Sequence, residues 1–162
     1  MTLSRRALGG RDILIDMKYC GVCHSDLHHA ANHNMGKTRY PCVPGHELAG
    51  VVAAVGTECT KVRVGMRVGV GCIVDSCLEC AKCLAGDEQH CSKKVGTYGD
   101  SDKGSGRAFS PLGWTLGGYC SKFVVHEHFA VRLRPSASPP ITAMRISATT
   151  HHRHHPPPPP PT

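Results

Sequence analysis

Long apolar runs are missing from this 162-residue chain. No stretch approaches the roughly 20 consecutive apolar residues of a membrane-spanning helix, so no membrane partner is expected. The first ten residues, Met1 to Gly10, lack the apolar core of a secretory leader, and a cytoplasmic location is expected. Aromatic residues are scarce at 5%, and no basic stripe is interleaved with them. Cysteine and histidine show no finger-type spacing. The formal charge of +7 therefore does not read as a nucleic-acid surface. Residues 1–134 carry 17 Lys+Arg against 12 Asp+Glu, and Arg145 and Arg153 supply the rest of the excess.

From Pro135 onward there is no Gly, Cys, Asp or Glu, while nine of the twelve prolines lie in residues 135–162. The run His151-His152-Arg153-His154-His155 precedes six consecutive prolines, which favour polyproline II and cannot join a packed core. Residues 135–162 are expected to be a disordered tail, either a spacer or a ligand for a proline-recognition module, with loose metal binding at its histidines incidental. Residues 1–134 are long enough for one domain with a real core.

What the chain does have is cysteine. Cys77, Cys80, Cys83 and Cys91 fall within fifteen residues. Four thiolates so spaced can wrap one tetrahedral Zn²⁺, a closed site that holds structure. The other reading is a pair of disulfides, which an intracellular setting disfavours.

Around this loop the pattern is mainly β. Asp12 to Cys20 alternates with Ile13, Ile15, Met17 and Tyr19 on one apolar face. A short helix is predicted over Cys23 to Ala31, with Ser25 or Asp26 as its cap. Strands are predicted over Leu48–Val55, Val62–Val74, Tyr119–Val125 and Phe129–Leu133, with the internal glycines marking bulges of a small bent barrel. Residues 96–118 read as a long surface loop.

Cys23 and His46 each sit beside a glycine at the edge of a predicted element. Together they are either a partial catalytic zinc set or a buried Cys and a surface His. Glu47 is placed to support or transiently join them. Ser25 and His28 could pass a proton from a bound alcohol to water, or could simply be a helix cap and a solvated side chain. His24, His29 and His33 are expected on the surface.

The run Tyr19-Cys20-Gly21-Val22-Cys23-His24-Ser25-Asp26-Leu27-His28 resembles a signature of the zinc-containing medium-chain alcohol dehydrogenases, in the version of the plant cinnamyl alcohol dehydrogenases. Tyr40-Pro41-Cys42-Val43-Pro44-Gly45-His46-Glu47-Leu48-Ala49-Gly50 is similar to their second signature. Val68-Gly69-Val70-Gly71, the cysteine loop, Gly117-Gly118-Tyr119 and Ser4-Arg5-Arg6 continue the likeness over about residues 4–134. The resemblance implies a GroES-like β-barrel catalytic domain with a zinc-binding loop. It implies a structural zinc on Cys77, Cys80, Cys83 and Cys91. It also implies a catalytic zinc on Cys23 and His46 with Glu47 adjacent, Ser25 near the nicotinamide in a proton relay, and His28 as the next relay candidate. The activity implied is NADP-dependent interconversion of cinnamyl alcohols and aldehydes, a step toward lignin, in a homodimer.

Two features of the family are expected to be absent from these residues. The family's third catalytic-zinc ligand is a cysteine downstream of Phe129–Leu133, and no cysteine here follows Cys120. A Rossmann domain needs a G-x-G-x-x-G turn between strand and helix, and the chain has none and no glycine after Gly118. Turnover by this chain alone is therefore not expected.

Overall fold

The computed structural model describes residues 2, 4–33, 36–101 and 107–133. The tail expected over 135–162 lies outside these residues. Among the described residues the chain is mainly β. The strands are β1 (Asp12–Cys20), β2 (Leu48–Val55), β3 (Arg67–Val70), β4 (Ile73–Asp75), β5 (Val95–Gly96), β6 (Lys122–His126) and β7 (Ala130–Arg132). Two short helices, α1 (His24–Ala30) and α2 (Ala81–Leu84), and two single 3₁₀ turns are the other elements among the described residues. Five strands form one antiparallel sheet in the order β6-β1-β2-β3-β7, and β4 pairs with β5 in a separate hairpin.

The alternation in β1 sets the core. Ile13 and Ile15 are fully buried and meet Leu48, Val52, Val68, Val70, Phe123 and Val125 from neighbouring strands. Val74 and Val95 of the small hairpin, with Val62 and Phe109, close over them. Each such side chain contributes on the order of 1.5–3 kcal/mol of transfer free energy.

The alternation does not run the full length of β1. Tyr19 is 57% exposed, against the expectation of one continuous apolar face. The register slips between Met17 and Tyr19, so one extra residue turns Tyr19 outward and leaves Cys20 packed against the core.

Other expectations are corrected similarly. Val62–Val74 is not one strand: Gly65 turns the chain with φ +86°, and β3 begins only at Arg67. The strand expected from Tyr119 starts at Lys122, because the N–H groups of Gly117, Gly118 and Tyr119 donate to Val43, Gly45 and Pro44 instead. A 3₁₀ turn, Glu127–Phe129, takes the first position of the strand expected from Phe129. Residues 96–118 are not wholly surface, since Thr97, Phe109, Thr115 and Leu116 are buried.

The N-terminal segment straps this arrangement. The Arg5 guanidinium donates to the carbonyls of Leu116 at 2.6 Å and Gly117 at 2.9 Å, and lies 4.8 Å over the Phe123 ring. It thus holds Gly117–Tyr119 against the segment that leads to His46.

Candidate metal centres

The cysteine loop gathers its four sulfurs as expected. Cys91 Sγ lies 3.5 Å from Cys77 Sγ, Cys80 Sγ 3.6 Å from Cys83 Sγ, and Cys77 Sγ 3.8 Å from Cys83 Sγ. Four Zn–S bonds of ~2.3 Å in a tetrahedron place sulfurs about 3.8 Å apart, so the spacing suits that ion. A disulfide needs ~2.05 Å, and all ten cysteines are free. Leu78 adopts φ +60°, unusual for a branched residue, and this turn aims backbone N–H groups at sulfur. Cys80 N–H reaches Cys77 Sγ at 3.4 Å, and Lys93 N–H reaches Cys91 Sγ at 3.3 Å. The N–H groups of Glu79 and Cys80 draw the Cys77 thiol down to about 6. Burial pushes Cys83 up to about 12, a penalty that a bound cation offsets.

The second group is Cys23, His46 and Glu47, whose ligand atoms all lie within 4.8 Å of one another. They come from two segments joined where Cys20 pairs with Leu48 and Gly21 N–H donates to Glu47 O at 2.9 Å. Gly21 allows this approach, because a Cβ there would collide with the Glu47 carboxylate. Cys23, not Ser25 or Asp26, is the N-cap residue of α1. Asp26 stands three positions on and accepts from Cys23 N–H at 2.9 Å, closing the first turn.

Asp26 is the residue whose role the sequence did not reveal. It is only 4% exposed, and it also accepts from Gly45 N–H at 2.9 Å and from the Tyr119 hydroxyl at 2.8 Å. Burial alone would raise its pKa, but these donors and the nearby His46 hold it below the ordinary carboxylate value. His46 is buried and points its two nitrogens at two carboxylates. Nδ1 lies 3.5 Å from Asp26 Oδ1, beyond hydrogen-bond length, and Nε2 lies 4.0 Å from Glu47 Oε1. A proton on Nδ1 facing Asp26 leaves the Nε2 lone pair for a metal, so the donor set fits one. The sequence signal for Asp26 was that of a candidate helix cap, which does not announce Gly45, Tyr119 or His46 as its partners.

Ser25 Oγ lies 3.5 Å from Cys23 Sγ. Ser25 and His28 both line a 590 Å³ cavity whose wall also includes His33, Tyr98 and Asp100, but not Cys23, His46 or Glu47. His24 and His33 are exposed as expected, and His24 stacks on His28 with ring centroids 4.6 Å apart. His29 is half-buried instead, edge-on to Tyr98 at 4.8 Å, and burial lowers its pKa. Tyr98, missed in the sequence, also lies 5.7 Å from the His46 ring, and its pKa is raised by burial and by Asp26 beside it. No helix among the described residues is long and apolar enough to cross a membrane.

A profile of the alcohol dehydrogenase GroES-like domain matches residues 9–135. The chain is 51% identical over 133 residues to the probable formaldehyde dehydrogenase AdhA of Bacillus subtilis, covering 82% of this chain and 36% of that protein. It is 48% identical over 139 residues to probable cinnamyl alcohol dehydrogenase 5 of Oryza sativa, covering 86% and 37% respectively. A cinnamyl alcohol dehydrogenase structure from Sorghum bicolor superposes with a TM-score of 0.79 at 39% identity, over 88% of this chain and 39% of that one. A Helicobacter pylori CAD structure complexed with NADP(H) superposes with a TM-score of 0.75 at 38% identity, over 86% and 39%. The chain thus spans little more than a third of the length of the curated relatives it matches.

Proposed function

This chain belongs to the zinc-type medium-chain alcohol dehydrogenase family through its GroES-like domain, and we propose that it forms the alcohol-holding part of an NADP-dependent oxidoreductase that interconverts cinnamyl-type alcohols and aldehydes, a step toward lignin. The observation that carries this reading is the convergence of Cys23, His46 and Glu47 within 4.8 Å, beside the Ser25 hydroxyl.

In this reading Cys77, Cys80, Cys83 and Cys91 hold a structural zinc, and Cys23, His46 and Glu47 hold the catalytic one. A zinc ion at the second centre supplies Lewis-acid polarisation, which lowers the pKa of an alcohol hydroxyl beside it. The Ser25 hydroxyl accepts the alcohol proton and releases its own toward His28, whose imidazole passes it to water in the cavity they share. Asp26 keeps His46 oriented with Nε2 toward the centre. The 162 residues contain no G-x-G-x-x-G turn, so no residue is assigned to the dinucleotide beyond Ser25 at the nicotinamide side, and no hydride step is derived. The substrate would be a small alcohol or aldehyde, and the assembly a homodimer as the resemblance implies.

A second reading is a non-catalytic zinc-stapled domain that at most associates with intact subunits; the four-sulfur set, which leaves no open position on its ion, favours it. One preparation tests both. Co²⁺ placed at the Cys23 centre gives visible bands, which are expected to shift when coniferyl alcohol is added and not to shift in Cys23→Ser. An unshifted spectrum at saturating coniferyl alcohol contradicts the alcohol-holding role. The same bands separate the two readings: the alcohol-holding part requires the shift with coniferyl alcohol, and the non-catalytic domain shows none.

A further inference from the structure

We infer that Tyr119 is a positioning residue for the Cys23–His46–Glu47 centre, an inference that rests on reading that centre as a metal site. Its backbone and its phenol grip the two ligand-bearing segments from different sides. Tyr119 N–H donates to Pro44 O at 3.2 Å, and the preceding Gly118 N–H donates to Gly45 O at 2.9 Å, which fixes the turn that presents His46. The Tyr119 hydroxyl lies 2.8 Å from Asp26 Oδ2 and 3.2 Å from Gly21 O. It has one proton to donate, and the shorter contact to the ionised carboxylate takes it.

Asp26 divides its two oxygens between the two segments. Oδ2 accepts from Cys23 N–H at 2.9 Å and from Tyr119, while Oδ1 accepts from Gly45 N–H at 2.9 Å and faces His46 Nδ1 at 3.5 Å. The rotation of this one carboxylate therefore sets both the start of α1, where Cys23 stands, and the tilt of the His46 ring. Without the phenol the carboxylate keeps the Cys23 N–H on Oδ2 and the Gly45 N–H on Oδ1 but loses the donor from the Gly117–Tyr119 segment, which loosens its rotation about the Cβ–Cγ bond. None of the hydrogen bonds recorded for Tyr119 reaches the four-cysteine loop. The Tyr119 ring is 39% exposed, so removing its hydroxyl opens no cavity in the core.

Groups that orient metal ligands typically change metal affinity about 10–100-fold when removed. The test is a Co²⁺ titration of the full chain already holding zinc at the four cysteines, followed by the visible bands of cobalt. In Tyr119→Phe the Co²⁺ dissociation constant is expected to rise about tenfold or more, and the bands to shift as the ligand geometry relaxes. Zinc retention and the thermal midpoint are expected to stay as in the parent. If the parent chain takes up no Co²⁺ beyond its zinc, the metal reading of this centre fails and the inference goes with it. If the parent binds Co²⁺ and Tyr119→Phe binds it equally with the same bands, the metal reading stands and Tyr119 positions nothing. Loss of zinc and cobalt together in Tyr119→Phe, with early melting, would show a residue that holds the fold rather than the centre, and would overturn the inference.

Discussion

Gly45→Ala should cost far more than its single methyl suggests. Gly45 has φ +101°, where L residues are strained by roughly 1–3 kcal/mol. A Cβ there would stand 2.7 Å from Cys20 Sγ, 3.0 Å from Tyr119 N and 3.1 Å from Gly118 N. Two of these three atoms are backbone nitrogens already donating to this turn, so they cannot withdraw without losing their hydrogen bonds. Overpacking of this kind costs roughly 1–3 kcal/mol more, and together the substitution should lose about 3–4 kcal/mol. That is a large share of the roughly 5–15 kcal/mol available to a domain. Gly65→Ala is the matched control: its φ is +86°, but nothing lies within 4 Å of its would-be Cβ, so only strain applies and the loss should be about 1 kcal/mol. With a urea m-value of about 2 kcal/mol/M, the midpoint should fall by about 1.5–2 M for Gly45→Ala and about 0.5 M for Gly65→Ala. Equal shifts in the two variants would refute the claim that the Gly117–Tyr119 segment packs directly under the His46 turn.

Two further outcomes are expected. His126 is 7% exposed, its Nδ1 accepts from His128 N–H at 3.2 Å, and burial, then Arg107, hold its pKa down to about 4. The unfolded state takes up that proton near pH 6.5, so stability is full above that value and falls as pH drops toward 4, by up to about 3 kcal/mol. Urea midpoints of the parent and His126→Gln across pH 4–7 check this, and a parent slope unchanged by the substitution would count against it. Cys91→Ser should release the ion of the four-cysteine centre and loosen the loop from Ser76 to Lys94 while leaving the five-stranded sheet intact, readable as proteolytic nicking confined to that loop. Retention of the ion under the same dialysis as the parent would show that Cys91 is not a ligand.

Much of this architecture was legible in short-range pattern. The alternation of Ile13 and Ile15 located β1, and the apolar run Leu48–Val55 located β2 with the bounds observed. Four cysteines at short spacing located the loop whose sulfurs converge. The failures share a cause, which is that long-range partners override local period. Tyr19 faces solvent because β1 bulges against β2, and no residue within the strand announces the slip. Tyr119 looked like the first residue of a strand, but its N–H is taken by Pro44, 75 positions earlier. Asp26 looked like a helix cap, and only folding shows that Gly45 and Tyr119 converge on it. His29 looked like a surface histidine because Tyr98, which covers it, arrives from a separate loop.

The central claim is that one chain holds two metal centres of unequal strength, a closed one on Cys77, Cys80, Cys83 and Cys91 and a weaker one on Cys23, His46 and Glu47. Native mass spectrometry of the zinc-loaded chain under graded chelator tests it directly. Two ions should be seen at low chelator, and the one lost first should be absent from the start in His46→Ala but present in Cys91→Ser. A chain that carries a single ion, or one whose first-lost ion disappears in Cys91→Ser and survives in His46→Ala, would contradict the assignment.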